Sequence, residues 1–514
     1  MSTYATTPRP PRVADRTPDD WLDILLAELT MQAAIAEVYE RFYNGRHPLQ
    51  FATSKFREAF GTLFGAFADN WCQIVVDAPV ERLKIVGFQK AGTPNTNAWK
   101  IWQDNSLDTE SVIAHTEAGK CGQSFLLVDP TGDNGPKITV EHAGQVVVVR
   151  DPAGRRERLA ALKRWLGDDG YVNVYLYLPD LVIVFESSEP AQAALVPGTG
   201  EKELTLPSTN EWVPKDAITN PLGVVPVIPL ENKPGLMSGG HSDLEPAIPL
   251  QNAINKLCTD IIVASEYGAF RQRALTGVDL PKDPNTGEVN PNVQLKATMS
   301  RLWNFEEDTA RIWDLNPTDL QNYVHSIDLL IQHLAAQTRT PPHYLLGQVV
   351  NASGEALIAA EAGLTTKCKA KILFFSDAWE EAMALALTAS SSAADAEASD
   401  LEAIWDDPER VPISVTVDAC VKKKGLGVPL PVLWREMGYT PEQIDEMEKL
   451  EASAREEQLA LVAAQAAAVE KLAGVAPPVA EKGPPQPGPT PPAKPGGPTP
   501  PPTPPPPPPR PPGG

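Results

Sequence analysis

Cysteine is scarce and scattered. The 514-residue chain has five, Cys72, Cys121, Cys258, Cys368 and Cys420. They are odd in number and no two form a CxxC pair, which argues against a zinc ribbon or a thioredoxin-type site. They read as reduced, mostly buried thiols of a protein made in a cytoplasmic compartment. The seven histidines never fall in an HxxxH or HExxH pattern; His325 and His333 stand eight apart on a helical pattern and are not adjacent ligands. The expectation is no metal and no cofactor. No uninterrupted apolar run of about 18 residues occurs, so no membrane span is expected. The opening "MSTYATTPRPPRVADRTPDDW" lacks the apolar core of a signal peptide. Positive charge is also short, with 44 Lys and Arg against 66 Asp and Glu and a net charge of −22. DNA binding depends on Lys and Arg displacing counterions, so general electrostatics gives this chain no affinity for nucleic acid. The acidity reads as solubility or as a surface that must not stick to DNA, and the sequence leaves both open.

What is present is enough apolar material, 42%, for a sizeable core over a length that suits two to four domains. Pro18 and Asp19 open a helix whose Leu22, Leu25, Leu26, Leu29, Ala33, Ala36 and Tyr39 recur at helical spacing, until "NGRHPL" breaks it. A second helical stretch passes through Phe56, Phe60, Phe64 and Phe67 into "NWCQIVVDAPVERL". Residues 97–120 read as one more helix, with Trp99, Trp102, Leu107, Val112 and Ile113 as buried positions. The period then changes. "SFLLVDP", "KITVEH" and "QVVVVR" are short β-branched runs, "YVNVYLYLPDLVIVFES" reads as a hairpin turning at Pro179-Asp180, and "LGVVPVIPLENKP" is extended.

At Ser242 helix returns. "SDLE" has the form of a capping box, and Leu250, Ile254, Leu257, Ile261, Ala264 and Gly268 form a narrow stripe. Run from 244 to 275, this helix spans about 48 Å. Turn-rich sequence and strands around "QLKATMSRLWNF" and "ARIWDL" interrupt it. A second long helix, capped by Asn316 with Pro317 in its first turn, carries Leu320, Tyr323, Ile327, Leu330 and Leu334 and stops at Pro341-Pro342. Residues 353–389 form a third. "PISVTVDA" looks like a strand, and helix resumes through "LEASAREEQLALVAAQAAAVEKLAG". From Pro477 the chain is low complexity, holding 21 of the 53 prolines, and is expected to be disordered with polyproline II character.

Catalytic motifs fail on inspection. "AHTEAGKCGQS" departs from a P-loop at Ala114 and Cys121, where Gly and Ser or Thr belong; a helix cap at Gly119 explains it better. "GHSDL" lacks the second glycine of a nucleophile elbow, and Ser242 serves as a helix cap. "DPAGRRERLAALKRWLG" is the densest basic stretch, but without interleaved aromatics it reads as a solvated loop and surface strand.

The order is an α+β domain, a long helix, a small β-rich insert, a second long helix, a loop and a third long helix. It resembles the portal proteins of tailed double-stranded-DNA bacteriophages, closely those of siphophages infecting actinobacteria. The segments that carry the resemblance are "FYNGRHPL", "NWCQIVVDAPVERLKIVGF", "NPLGVVPVIPLENKPGLMSGGHSDLEPAIPLQNAINK", "TRTPPHYLLG", "SGEALIAAEAGLTTK" and "DACVKKKGLGVPLPVLWREMGYTPEQIDEM", together roughly residues 20–460. The resemblance implies a flexible N-terminus (1–17), a wing-like α+β domain (18–241), a first stem helix (242–277), a clip-like β insert (278–315) and a second stem helix (316–340). It further implies a tunnel loop (341–353), a long third helix (354–390), a crown-like region (391–476) and the disordered Pro-rich tail (477–514).

By the same resemblance the chain would form a non-enzymatic ring, typically of twelve copies, at the capsid vertex of a virion assembled in the host cytoplasm. Double-stranded DNA would pass through it without sequence specificity during packaging and ejection. Partners would be the terminase large subunit, head-completion or adaptor proteins, and the major capsid and scaffolding proteins. Gly347, Gln348, Val349, Val350, Asn351 and Ala352 would line the channel. Lys256, Arg271 and Arg273 are candidates for the stem lumen, and Asp283, Asn285, Glu288 and Asn290 for motor or connector contacts in the clip. Two rival readings are a cytoplasmic scaffold that recruits partners through its Pro-rich tail and a nucleic-acid packaging enzyme, whose Walker motifs are absent.

Overall fold

The computed structural model describes residues 16–47, 69–132, 135–154, 157–195, 202–205, 212–236, 238–269, 273–276, 311–314, 319–347, 354–390, 400–409, 413–439 and 441–473. They fall into two compact units, within residues 1–415 and 416–514. Helix α1 (Pro18–Tyr43) starts where the sequence places it. Thr17 accepts from the Asp20 N–H and the Asp20 carboxylate accepts from the Thr17 N–H, so two orphan donors of the first turn are satisfied. The Phe-rich stretch 48–68 lies outside the described residues. Helix α2 (Cys72–Val80) leads into strand β1 (Ile85–Lys90) and the two-residue β2 (Thr93–Pro94).

The single helix expected over 97–120 is two, α3 (Thr96–Asp104) and α4 (Leu107–Cys121). Ser106 between them is left-handed, with φ 54°, and this break turns the second helix. Trp102 and Leu107 are buried as expected, but Val112 and Ile113 are nearly half exposed. The helix runs past Gly119 and is capped by left-handed Gly122.

Strands β3 (Gln123–Asp129) and β4 (Lys137–Glu141) join β12 (Val227–Glu231) in a three-stranded antiparallel sheet. A second sheet holds β5 (Val146–Arg150), β6 (Arg158–Leu166), β7 (Val172–Tyr177), β8 (Leu181–Ser187) and β11 (Trp212–Thr219), in the order β11-β8-β7-β6-β5. The hairpin at Pro179-Asp180 is there, with Tyr177 opposite Val182. Strands β9 (Gln192–Leu195) and β10 (Lys202–Thr205) pair separately. The basic stretch is not a surface strand. It forms β6, inside the sheet, with Ala160 and Leu162 fully buried against α1 and Ala161 fully buried on the other face in a cluster with Phe125, Tyr177 and Val227. Two of its cations are paired with carboxylates of other elements. Arg158 meets Glu381 at 2.6 Å and Lys163 meets Glu141 at 2.6 Å, so these two charges are neutralised locally.

Helix α5 (Ala247–Ala269) is shorter than the sequence suggested, 23 residues or about 35 Å. Ser242 does not cap it directly. Its hydroxyl accepts from the Leu244 N–H, Glu245 accepts from the Ser242 N–H, and one turn intervenes before the helix. Residues 273–276 are not its last turn but strand β13 (Arg273–Thr276), paired antiparallel with β14 (Arg311–Asp314). Helix α6 (Gln321–Thr338) comes next, begun by Asp319 accepting from the Gln321 N–H. Pro341 and Pro342 do not open a loop. Pro342 starts the short helix α7 (Pro342–Leu346), since proline suits a first helical turn.

Helix α8 (Gly354–Ala389) forms as expected and is the spine of the first unit. Its Leu364, Cys368, Phe375, Trp379, Ala382 and Ala386 lie on one face, packed on α2, α3, His115 of α4 and the three-stranded sheet. Trp102 and Trp379 meet edge to face, with ring centres 5.0 Å apart. "LEAIW" supplies β15 (Leu401–Trp405), which pairs with β1. "PISVTVDA" is not a strand. Helix α9 (Ile413–Gly425) takes it, with Lys422, Lys423 and Lys424 in its last turn, where the helix dipole favours cations. In the second unit Cys420 donates to the Leu433 carbonyl of α10 (Leu430–Glu436), and α11 (Pro441–Ala473) completes the helices.

Candidate functional site

The two stem-like helices pack side by side. Ile254 of α5 is fully buried with Ile331, Leu334 and Ala335 of α6, Val75 and Val76 of α2, and Leu345 of α7. The base of α5 is fastened by a polar ladder. Gln251 accepts from the Trp71 N–H at 2.8 Å, and Asn255 accepts from the Asp69 N–H at 3.1 Å and bonds His47 at 2.7 Å. His47 and Asp69 therefore meet at one place on α5.

Where α4, β12, the entry to α5 and α8 converge, charges are buried. Asp243 is fully enclosed, with Lys371 at 2.7 Å, Lys233 at 2.5 Å and Lys367 at 3.4 Å. Lys371 also donates to Asn232 Oδ1 at 2.6 Å, and Lys367 donates to the Thr338 carbonyl at 3.3 Å. Burial works to raise the Asp243 carboxyl, but the three ammonium groups overcome it and hold it far below the usual range. Burial brings Lys367 down to about 8 against the attraction of Asp243. Gly122 and Gly240 allow the close approach that builds this joint. A Cβ on Gly122 would sit 2.7 Å from the Gly240 carbonyl oxygen, at a φ of +88°.

A second clamp holds the flanks of the expected tunnel loop. Arg82, buried after α2, donates to the Tyr344 hydroxyl of α7 at 2.7 Å and to Glu361 of α8 at 3.1 Å. The chain just before the loop and the chain just after it are thus tied to one guanidinium. Gly347 caps α7 at φ +62°, and a Cβ there would meet nothing within 4 Å.

Glu117, Cys121 and His142 come close enough together to suggest a metal site. Their chemistry argues against one. His142 Nδ1 accepts the Gly144 N–H at 2.8 Å, so Nε2 carries the proton and faces Glu117 and Glu40 at 3.2 and 3.4 Å. Lys120 already pairs with both carboxylates. Burial pushes the Cys121 thiol up to about 12, so it rests here as a neutral thiol. The cluster is a salt-bridged joint between α1, α4 and β4.

Of the residues expected to carry function, Gly347 is placed as described. Gln348, Val349, Val350, Asn351 and Ala352 lie outside the described residues, as do Arg271, Asp283, Asn285, Glu288 and Asn290. Lys256 is half-buried on α5 and pairs with Asp260 one turn on. Arg273 is on β13, not on a helix, because the β-ribbon starts there. The Asp243 joint was missed. Its signal was Lys367 and Lys371, one turn apart and interrupting the apolar face that Leu364, Cys368 and Phe375 define.

The model of the family "Phage portal protein, SPP1 Gp6-like" matches residues 56–459. The portal protein of Mycobacterium phage L5 is 28% identical over 437 residues, 81% of this chain and 85% of that one. The portal protein of Mycobacterium phage D29 is 27% identical over 398 residues, 73% of this chain and 77% of that one. Two solved structures are also similar. A chain from the virion of a native gene transfer agent particle has a TM-score of 0.40 at 11% identity and covers 79% of this chain and 94% of its own. One from the neck of an empty gene transfer agent particle has a TM-score of 0.41 at 12% identity and covers 77% and 97%.

Proposed function

The chain belongs to the SPP1 Gp6-like family of phage portal proteins, and from that premise we propose that it forms a ring of twelve copies through which double-stranded DNA is packaged and ejected. It is a structural, non-enzymatic component of the virion, seated at the capsid vertex. The single observation that carries the channel reading is the α5–α6 pair with its distal β-ribbon. The two helices share a buried apolar seam, and the chain between them returns through β13 and β14. Such a pair, repeated around an axis, makes a tube wall with a small β element at its end. The insert between the helices, including Asp283, Asn285, Glu288 and Asn290, would meet the terminase large subunit and later the head-completion proteins. The major capsid and scaffolding proteins would contact the outer domain.

Residues 348–352 would face the DNA. The support is their neutrality and the Arg82 clamp, which ties Tyr344 of α7 and Glu361 of α8 to one guanidinium. A channel that must let a duplex slide gains nothing from phosphate contacts, since each adds a salt-dependent attraction. Lys256, already paired with Asp260, offers little such attraction.

Replacing Val349 and Val350 by Lys is expected to leave the subunit fold and the ring intact. In a ring of twelve it adds about two dozen cations at the constriction, screened over roughly 10 Å at 0.1 M salt. Packaged DNA length against time should lag behind wild type at low salt and recover in part at higher salt. Equal rates at both salts would remove this segment from the DNA path. Deleting residues 477–514 is expected to leave subunit melting and ring formation unchanged, because a proline-rich segment with almost no apolar side chains contributes no core. Electron microscopy of the purified protein tests the ring itself, and particles without a central hole would overturn the channel reading.

A further inference from the structure

Helix α11 is longer than anything that covers it. Ile444 is buried, but every described side chain from Ala452 to Gln465 is exposed, and Leu450, Leu459, Leu461 and Val462 are each 61–70% exposed. Glu442, Asp445, Glu446, Glu448, Glu451, Glu456 and Glu457 against Lys449 and Arg455 make its first half acidic, with Lys449–Asp445 and Arg455–Glu451 pairs one turn apart. After Glu457 the chemistry changes abruptly. The twelve residues from Gln458 to Val469 carry no charge. Their polar side chains are Gln458 and Gln465, which fall on one stripe, and a helix segment that is apolar over most of its surface belongs in a buried setting.

The apolar positions are not on one face. At 100° per residue, Leu459, Val462 and Ala463 centre on one side, and Leu450, Ala454, Leu461 and Ala464 centre about 170° away. A two-helix pair would use one such seam and leave the other in water. A helix within a closed ring has neighbours on nearly opposite sides and uses both. The acidic first half also disfavours an anionic membrane or a nucleic acid as the cover.

We propose that residues 459–465 of α11 pack between the same segment of two neighbouring copies of this chain, so that seam one of each copy meets seam two of the next. The proposal rests on the ring reading above and adds the place where the second unit contributes to closing it. The packing is heterologous, with the same two surfaces used once per subunit around the ring. The small Ala463 and Ala464 beside the larger Leu459, Leu461 and Val462 suit close side-by-side approach of helices.

The test is disulfide trapping in the full-length assembled protein. Leu459→Cys with Leu461→Cys in one chain places a thiol on each seam. Mild oxidation and non-reducing electrophoresis should give a ladder of covalent multimers reaching the full ring, whereas each single variant, with one seam armed, should stay largely monomeric like wild type. Dimers from a single variant would mean like seams meet, which overturns the proposal. So would the absence of a ladder from double-variant particles that microscopy shows as rings, and in that case the ring reading stands. Wild-type protein that forms no ring would instead overturn the ring reading itself.

Discussion

Replacing Asp243 by Asn is expected to lower the stability of the subunit by about 3–5 kcal/mol, the usual cost of removing one partner from a buried ion pair. The residue is fully enclosed and, among the described residues, is the sole carboxylate within 4 Å of Lys233, Lys367 and Lys371. Without it, Lys371 keeps Asn232 and the face of the Phe375 ring, and Lys367 keeps the Thr338 and Val75 carbonyls, none of them an anion. Both shifts give stability the same sign of pH dependence. The Asp243 carboxyl is held below its ordinary value, so its contribution is complete above about pH 4 and is lost as the solution becomes more acid. Lys367 is held down at about 8, below its ordinary 10.5. Between those values the unfolded chain binds the proton more firmly, so wild-type stability should rise with pH across that window. Lys367→Met removes the surplus cation while Lys371 and Lys233 remain on Asp243, and its effect should stay within about 1.5 kcal/mol. Urea unfolding followed by circular dichroism measures all three proteins. If Asp243→Asn costs no more than Lys367→Met, Asp243 is not the group that holds this joint together.

The sequence disclosed elements with a strong period and missed what depends on distant partners. Helices α1 and α8 were legible because their apolar faces repeat every three to four residues over many turns, and Pro18 and Asp19 mark the start of α1 besides. Strands β5, β7 and β8 were legible from short β-branched runs and one Pro-Asp turn, whereas β6, carrying the basic stretch, read as a surface strand and lies inside the sheet. The pairing of "LEAIW" with β1 was not, because more than 300 residues separate Leu401 from Lys90 and nothing local announces the partner. "PISVTVDA" misled because β-branched residues favour strands only where a sheet edge awaits them; here a helix buries Cys420 against α10 instead. At the candidate site, the end of α5 went astray by several residues, since β13 begins where the apolar period could have continued. The Arg82 clamp was invisible for the same reason as the strand pairing. Arg82, Tyr344 and Glu361 have no spacing that links them until the fold brings α2, α7 and α8 together.

Ile254→Asp and Ile262→Asp, two substitutions of the same kind on one helix, are expected to fail in different ways. Ile254 is completely buried within its own subunit, among Val76, Leu334 and Leu345. A carboxylate there has no cation to pair with in that apolar cluster, and transferring it from water costs several kcal/mol even after the group neutralises itself by taking a proton. That is a large part of the roughly 5–15 kcal/mol that holds a domain folded. The subunit should lose cooperative melting or aggregate on expression, before any question of assembly arises. Ile262, two turns further along α5, is more than one-third exposed. Aspartate at that position stays in water in the lone subunit, so the melting transition should move little. If the outer face of α5 meets a neighbouring copy in the ring, the same charge is desolvated only on assembly. Each interface weakened by about 1.4 kcal/mol loses a factor of ten in its own equilibrium constant, and the losses multiply around the ring, so sedimentation should show folded subunits with the ring population reduced at least tenfold. Normal rings from Ile262→Asp would place this face toward solvent or the channel and not against a neighbour. Normal melting of Ile254→Asp would mean that α5 does not pack on α6 as described.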